Sequence, residues 1–185
     1  MNRVRSCIFL IVIATLAIGC ASVPQSEQTS GDTTKSNHST RPPALKVDGM
    51  LLGAFALSDV DTPEFPWYRN KYDSSVVNLT LIPKISSMMT DISILCFAGT
   101  WCTDTHKELP HLIKIMDVGK INFEKITFIG IDRQKLSPRG ETAPWNITAS
   151  PTFIFLKNDQ EIGRIVESPK KTLEEDIVEI LSRAR

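Results

Sequence analysis

The pattern of hydrophobic and polar residues in the second half of the chain predicts a strand, a helix and a second strand. Two near-continuous apolar runs, at 92–98 and 126–131, are typical of buried strands. Between them lies a stripe at the spacing that one face of a helix requires, formed by Leu109, Leu112, Ile113 and Met116. The helix is expected over 103–118, so the order predicts two parallel strands joined by a right-handed crossover.

The last third of the chain adds a hairpin and a closing helix. Apolar runs at 152–156 and 161–166 flank turn-like residues at 158–160, which predicts two antiparallel strands. Thr172 and Glu175 have the spacing of a capping box. The apolar stripe of the helix that follows comprises Leu173, Ile177, Ile180 and Leu181. The order βαβ followed by ββα predicts an α/β sandwich, with a central mixed sheet and helices on both faces.

Residues 44–90 are expected to form an N-terminal extension that packs on a core spanning 91–185. The apolar stretch 47–57 contains two glycines and predicts a short strand or hairpin. Pro63 fits the first position of a helix. A further helix is expected over 79–89. Its core-facing stripe comprises Leu79, Ile82, Ile85, Met88 and Met89.

The N-terminus has the pattern of an export signal. Two arginines among the first five residues precede an apolar run over 8–18 that is too short to span a bilayer. The run leads into Leu-Ala-Ile-Gly-Cys at 16–20, which resembles the bacterial lipobox, where the cysteine is lipidated. Residues 1–19 are therefore predicted to be a lipoprotein signal peptide and Cys20 a lipid anchor. A plain secretory signal is the alternative.

Residues 20–43 are predicted to be a flexible linker behind the lipidated cysteine. Ser, Thr, Gln and Pro dominate this segment, which therefore has too little apolar surface to offset the entropy of ordering it. The protein is thus expected in the bacterial cell envelope. Ala21, where Asp usually signals retention in the inner membrane, favours the outer membrane, facing the periplasm.

The charge balance and the cysteines limit the classes of partner and reaction that the sequence predicts. Lysine plus arginine and aspartate plus glutamate both number 21, so the charge gives no indication of a nucleic acid partner. No glycine-rich phosphate loop and no metal-ligand spacing is present, so no cofactor or metal is predicted. If Cys7 leaves with the signal and Cys20 is lipidated, Cys96 and Cys102 are the thiols of the mature chain.

Cys102 lies where the first predicted strand turns into the helix, in the sequence Gly-Thr-Trp-Cys-Thr-Asp-Thr at 99–105. This region resembles the thioredoxin family, whose Trp-Cys-x-x-Cys motif stands at the same junction. Pro110 and the Ser-Pro-Thr sequence at 150–152 match the family's helix proline and its cis-proline. The Trp-Cys-x-Asp pattern and residues 161–164 resemble the envelope lipoprotein branch of the family.

The resemblance implies a role for each matching residue. Cys102 would be the nucleophile, with Trp101 and Thr105 at the motif positions beside it. Pro151, in cis, would let an extended substrate chain pair next to Cys102. Thr105 replaces the second cysteine of the motif, so the chain cannot resolve a mixed disulfide in the usual way. The helix N-terminus favours a thiolate at Cys102, whereas a nearby charge on Asp104 opposes one.

Three residues have both a functional and a structural interpretation. Cys96, six residues before Cys102, is either a resolving thiol or a small buried hydrophobe, and the second is favoured because buried cysteines are common. His106, one turn past Cys102, either tunes the thiolate or is a solvated helix residue, and again the second is favoured. Trp101 is expected to be an exposed aromatic for partner contact.

The sequence thus predicts an exported thioredoxin-like lipoprotein with a monothiol site at Cys102. Its expected role is thiol–disulfide exchange or a related redox reaction on protein thiols, disulfides or extended peptide segments. Two alternatives stay open. The first is a redox-inactive binding or scaffold module, and the second is a thiol peroxidase, which requires a sulfenic acid at Cys102. Contact with a membrane is expected through the lipid anchor.

Overall fold

The computed structural model describes residues 44–184. The predicted signal peptide at 1–19, the predicted lipidation site Cys20 and the predicted linker at 20–43 lie outside the described residues. Among residues 44–184, no helix has the length and apolar character needed to cross a membrane.

The strands and helices in the second half of the chain occur in the order that the hydrophobic pattern predicts. The first elements are β1 (Leu45–Val47), β2 (Met50–Phe55), α1 (Leu57–Val60), α2 (Pro66–Ser74) and α3 (Ile82–Met88). The later elements are β3 (Ile92–Ala98), α4 (Thr103–Val118), β4 (Ile126–Gly130), β5 (Thr152–Lys157), β6 (Gln160–Val166) and α5 (Leu173–Ser182). The helix predicted over 103–118 is confirmed, and so is the capping box at the start of α5.

The described residues form one mixed sheet of six strands, in the order β1-β2-β4-β3-β5-β6. The central strands β3 and β4 are parallel, as the crossover through α4 requires, and the other neighbouring pairs are antiparallel. The N-terminal hairpin of β1 and β2 extends the sheet beyond β4. Because β3 lies between β4 and β5, the loop that follows it leaves the sheet near its middle.

Each face of the sheet carries its own apolar core, since successive strand residues point to opposite faces. Cys96 and Ala98 of β3 belong to the larger core, to which α2, α3, α4 and α5 all contribute. Phe97 belongs to the smaller core on the opposite face, where Trp145 of the 3-10 helix Ala143–Trp145 packs. The α-helices pack on the larger core and this 3-10 helix packs on the smaller one, and the predicted thioredoxin-like α/β sandwich with an N-terminal extension is confirmed.

The helix start predicted at Pro63 is wrong. Residues 62–65 form a turn in which Phe65 N–H donates to the carbonyl of Thr62 at 3.0 Å. The helix α2 begins at Pro66, which satisfies the same preference for proline in a first turn. Burial of the Phe65 side chain in the larger core fixes the turn before this second proline.

The helix predicted over 79–89 is shorter than its apolar stripe suggests. Asn78 forms a turn ahead of α3, because its side-chain oxygen accepts from Thr80 N–H at 3.1 Å and its carbonyl accepts from Leu81 N–H at 3.0 Å. This turn leaves Leu79 69% exposed, so the prediction that Leu79 packs on the core is wrong. Met88 is only partly buried. The buried members of the stripe are Ile82, Ile85 and Met89.

Candidate functional site

Cys102 occupies the junction between the central strand β3 and the helix α4. Its backbone N–H donates to the carbonyl of Gly99 at 2.9 Å, which closes a tight turn at the end of the strand. Its own carbonyl accepts from His106 N–H at 3.1 Å, and Cys102 is the N-cap residue of α4. The side chain is partly exposed, so the thiol is accessible at the first turn of a helix.

The loop before β5 lies directly against this thiol. The Ser150–Pro151 peptide bond is cis, and Cys102 Sγ donates to the carbonyl oxygen of Ser150 at 3.0 Å. This hydrogen bond exists only while Cys102 carries its proton, because a carbonyl oxygen can only accept. The carbonyl of Pro151 accepts from Glu167 N–H at 2.8 Å, which ties the loop to the end of β6.

A buried pair of hydroxyl groups lies beside Cys102. Thr105 Oγ1 and Ser150 Oγ are 3.0 Å apart, and Gly99 N–H donates to Ser150 Oγ at 2.7 Å. Thr105 is fully buried and Ser150 is 2% exposed. The contacts connect the end of β3, the first turn of α4 and the cis-proline loop. We call Gly99, Thr105 and Ser150 the hydroxyl network.

Thr100 and Trp101 hold the loop between β3 and α4 from two other sides. Leu51 N–H of β2 donates to Thr100 Oγ1 at 3.1 Å. Trp101 Nε1–H donates to the carbonyl of Ile131 at 3.0 Å, and the Arg133 guanidinium lies 5.1 Å from the centre of the Trp101 ring. Trp101 is therefore half-buried and anchored, whereas an exposed side chain was expected.

His106 is a packed residue, which differs from the expectation of a solvated one. Its ring stacks on Trp67 of α2, with ring centres 4.3 Å apart. Its Nε2 lies 2.7 Å from the carbonyl oxygen of Thr100, so Nε2 carries the hydrogen and donates it. The residue thus secures the loop that leads into Cys102.

Cys96 lies in the larger core on the central strand. It is fully buried, and its backbone pairs with those of Phe128 and Phe153 on either side. Burial raises the pKa of the Cys96 thiol, because the apolar surroundings disfavour its charged form. Cys96 and Cys102 are both free thiols. In residues 44–184, no group of three side chains is arranged to hold a metal ion.

Sequence reasoning singled out Cys102, Trp101, Thr105 and Pro151, and the structure brings these residues together around one loop. It missed the Ser150 side chain, although the residue directly precedes Pro151 in the sequence. It also missed Trp67, for which no sequence signal exists, since the contact joins α2 to a residue 39 positions later.

A free thiol at a strand-to-helix junction, facing a cis-proline loop in this fold, defines a thioredoxin-like protein. No protein-family model matches the chain. A Thioredoxin H-type of Populus jackii is 31% identical over 100 residues, which cover 53% of this chain and 68% of the relative. Thioredoxin H9 of Arabidopsis thaliana is 31% identical over 90 residues, which cover 49% of this chain and 60% of the relative. The chain belongs to the thioredoxin family.

Solved structures of thioredoxins also resemble parts of this chain. Mitochondrial thioredoxin 3 of Saccharomyces cerevisiae is 28% identical, with 59% of this chain and 98% of that one covered and a TM-score of 0.36. Thioredoxin of Fasciola hepatica is 19% identical, with 55% and 88% covered and the same TM-score of 0.36. The family assignment rests on the sequence relatives.

Proposed function

We propose that this protein performs thiol–disulfide exchange through Cys102 acting as a monothiol. The observation that carries the proposal is the position of Cys102 Sγ, partly exposed at the N-cap of α4 and 3.0 Å from the carbonyl of Ser150. Membership of the thioredoxin family supports a thiol–disulfide redox role in general. Protein thiols, disulfides and extended peptide segments are the proposed partners.

The exchange has two steps with different nucleophiles. In the first step Cys102 loses its proton, its thiolate attacks one sulfur of a substrate disulfide, and the other sulfur leaves as a thiolate that takes up a proton. The product is a mixed disulfide between Cys102 and the substrate. In the second step an external thiol, from a small molecule or another protein, attacks Cys102 or the substrate sulfur. If the external thiol attacks the substrate sulfur, Cys102 leaves as a free thiol and the substrate stays joined to the external thiol by a disulfide. If it attacks the sulfur of Cys102, the substrate leaves as a thiol, and a second external thiol must then displace the first from Cys102, which forms an external disulfide and restores the Cys102 thiol.

The second step needs an external thiol because neither nearby candidate in the chain can supply one. Thr105, at the position where the resemblance implies a second cysteine, carries a hydroxyl that is held by Ser150. Cys96 is fully buried, and its raised pKa keeps it protonated at neutral pH. A protonated buried thiol is a poor nucleophile.

We also propose that the protein is a lipoprotein of the cell envelope, anchored through Cys20 after removal of residues 1–19. The lipobox resemblance supports this anchor, and Ala21 supports the outer membrane. Growth of the source cells with a radiolabelled fatty acid should label the wild-type protein but not Cys20→Ser. Equal labelling of both, or none of either, would end this part of the proposal.

Trapping of the mixed disulfide tests the exchange directly. The reduced chain in a Cys7→Ser/Cys20→Ser background is mixed with a peptide disulfide and analysed by intact mass. Wild type and Cys96→Ser are expected to gain one peptide at Cys102, and the adduct should persist until a thiol is added. Cys102→Ser should gain none. Thr105→Cys should release the peptide unaided and form a disulfide between positions 102 and 105.

One contact favours the alternative function, a redox-inactive binding module. The Cys102 Sγ–H group donates to the carbonyl of Ser150 at 3.0 Å, so in the described conformation the thiol serves as a hydrogen-bond donor to the cis-proline loop. If Cys102 forms no adduct with any peptide disulfide, while the reduced peptide still binds and Cys102→Ser binds it equally well, the binding module replaces the exchange reaction. Peroxide consumption that depends on Cys102 would instead support the peroxidase.

A further inference from the structure

A cavity of about 400 Å³ lies between α4, the start of α5 and the segment before α3. This volume falls within the range of small-molecule sites, about 300–1,000 Å³. Cys102, Ser150 and Pro151 do not line it. The lining residues that matter below are Val76, Lys107, Glu108, His111, Leu173 and Glu174.

Two buried carboxylates lie in the wall of this cavity. Glu108 and Glu174 are each 2% exposed, although ionised side chains are rarely buried without partners. Glu174 is satisfied, because its Oε1 accepts from Asn78 N–H at 2.8 Å and lies 3.3 Å from His111 Nε2. Its position is therefore fixed by groups of the chain itself.

Glu108 differs from Glu174 because its Oε1 has no hydrogen-bond partner among residues 44–184. Lys107 Nζ forms an ion pair with this oxygen at 2.8 Å, which raises the pKa of the Lys107 ammonium, but the Lys107 side chain is 61% exposed. An exposed lysine holds a carboxylate only weakly, since water screens the pair and the long side chain stays mobile. A buried carboxylate oxygen in a cavity wall thus lacks a firm partner.

Apolar surface continues from the carboxylates to the mouth of the cavity. Leu173 is buried in the wall, whereas Val76 is 87% exposed at the rim. The other rim cation, Lys171, has its ammonium 3.4 Å from Glu179. The cavity therefore combines an acidic inner wall with an aliphatic entrance, which suits a ligand that has a positive head on an aliphatic stem.

We propose that this cavity binds an organic cation, a primary ammonium or guanidinium on an aliphatic stem. The head donates hydrogen bonds to Glu108 and displaces Lys107, while the stem lies against Val76 and Leu173. A basic side chain of a partner protein and a free alkylamine share this chemistry. The proposal does not depend on the reaction of Cys102, because Glu108 follows Cys102 by six residues along α4, about 9 Å at the helical rise.

Calorimetric titration of the full-length protein with n-butylammonium tests the site. Butyrate and butanol are the matched anionic and neutral probes. Saturable binding of butylammonium alone is expected, and Glu108→Gln should weaken it at least tenfold. Glu124→Gln, which removes an exposed carboxylate that does not line the cavity, is the control and should bind as wild type does. Tighter binding of N-acetyl-lysine amide would assign the site to a protein side chain, and weaker binding to a free amine.

Stability separates a binding role of Glu108 from a structural one. Because the buried carboxylate lacks a firm partner, Glu108→Gln should raise the midpoint of thermal unfolding while it lowers affinity. If Glu108→Gln fails to fold, Val76→Lys serves instead, since it adds a competing cation at an exposed rim position and should also weaken binding tenfold. Absent or non-saturable binding, tighter binding of butyrate, or unchanged affinity in the variant that folds would overturn the proposal.

Discussion

Replacement of Ser150 by alanine tests whether the hydroxyl network holds the candidate site together. The Ser150 hydroxyl accepts from Gly99 N–H at 2.7 Å and lies 3.0 Å from Thr105 Oγ1. All three residues are buried. Alanine fits within the space that serine occupies, so the substitution removes these two contacts without adding a clash.

The expected cost follows from what each partner can do once the hydroxyl is gone. Gly99 N–H is fixed by the backbone at the end of β3, and a buried donor without an acceptor costs about 1–3 kcal/mol. The Thr105 hydroxyl can rotate towards a backbone carbonyl of the turn that precedes α4, so its loss is smaller. We expect Ser150→Ala to lower the free energy of unfolding by about 2 kcal/mol, or Tm by roughly 4–8 °C.

Urea unfolding and calorimetry of the reduced protein measure these two quantities. Ser182→Ala is the matched control, because Ser182 Oγ donates to Val178 O at 2.7 Å on an exposed helix face. It should change the free energy of unfolding by no more than about 0.5 kcal/mol. A Ser150→Ala protein as stable as the control would refute the reasoning.

A double-mutant cycle with Thr105→Val isolates the contact between the two hydroxyl groups. Valine has nearly the shape of threonine, so the volume of the buried site is kept. A coupling of about 0.5–1.5 kcal/mol between Ser150→Ala and Thr105→Val is expected for one hydrogen bond. Additive effects would mean that Gly99 alone uses the Ser150 hydroxyl.

Three further predictions concern the fold around the site. Gly130→Ala should destabilise the chain by about 1–3 kcal/mol in urea unfolding, because a Cβ there would lie 2.1 Å from the Leu51 carbonyl oxygen in the adjoining strand; stability equal to wild type would contradict that backbone approach. The hydrogen bond that the Tyr72 hydroxyl donates to Asp117 raises the pKa of Tyr72 to about 12. The stabilisation that this bond gives the folded state is therefore complete below pH 10 and is lost as the pH rises towards 12. Ultraviolet titration should show the shift, and a Tyr72 midpoint near 10 in the folded chain would contradict it. Alkylation at neutral pH should modify Cys96 only after unfolding, as peptide mass mapping would detect, and labelling of Cys96 in the folded chain would contradict its burial.

The order of elements could be predicted because each signal for it is local. The stripe on α4, the capping box of α5 and the apolar runs of β3 and β4 depend on neighbouring residues. The errors arose where two local signals competed. Pro63 and Pro66 both fit a helix start, and only burial of Phe65 selects the second. The Asn78 turn likewise removed Leu79 from a stripe whose spacing it fits.

Of the candidate site, the sequence predicts only the residues that belong to the family motif. Positions 101–105 and Pro151 were found because a family pattern names them. The contacts that fix the site join distant segments, as Ser150 does to Gly99 and Trp67 does to His106. Periodicity contains no information about such pairs, since it reports which face a residue occupies and not which distant side chain meets it.

The hydroxyl network changes what the site can do after its first reaction. A thiol at position 105 could attack a mixed disulfide at Cys102 within the same molecule, at a rate independent of other thiols. The Thr105 hydroxyl is too weak a nucleophile to break the mixed disulfide. Its contact with Ser150 Oγ joins α4 to the cis-proline loop. Release of the substrate under the proposed function must therefore be bimolecular, with a rate proportional to the concentration of external thiol. Under the proposed function, a hydroxyl in place of a thiol at position 105 thus lengthens the life of the mixed disulfide and leaves the choice of resolving thiol to the surroundings, while the same hydroxyl contacts the cis-proline loop.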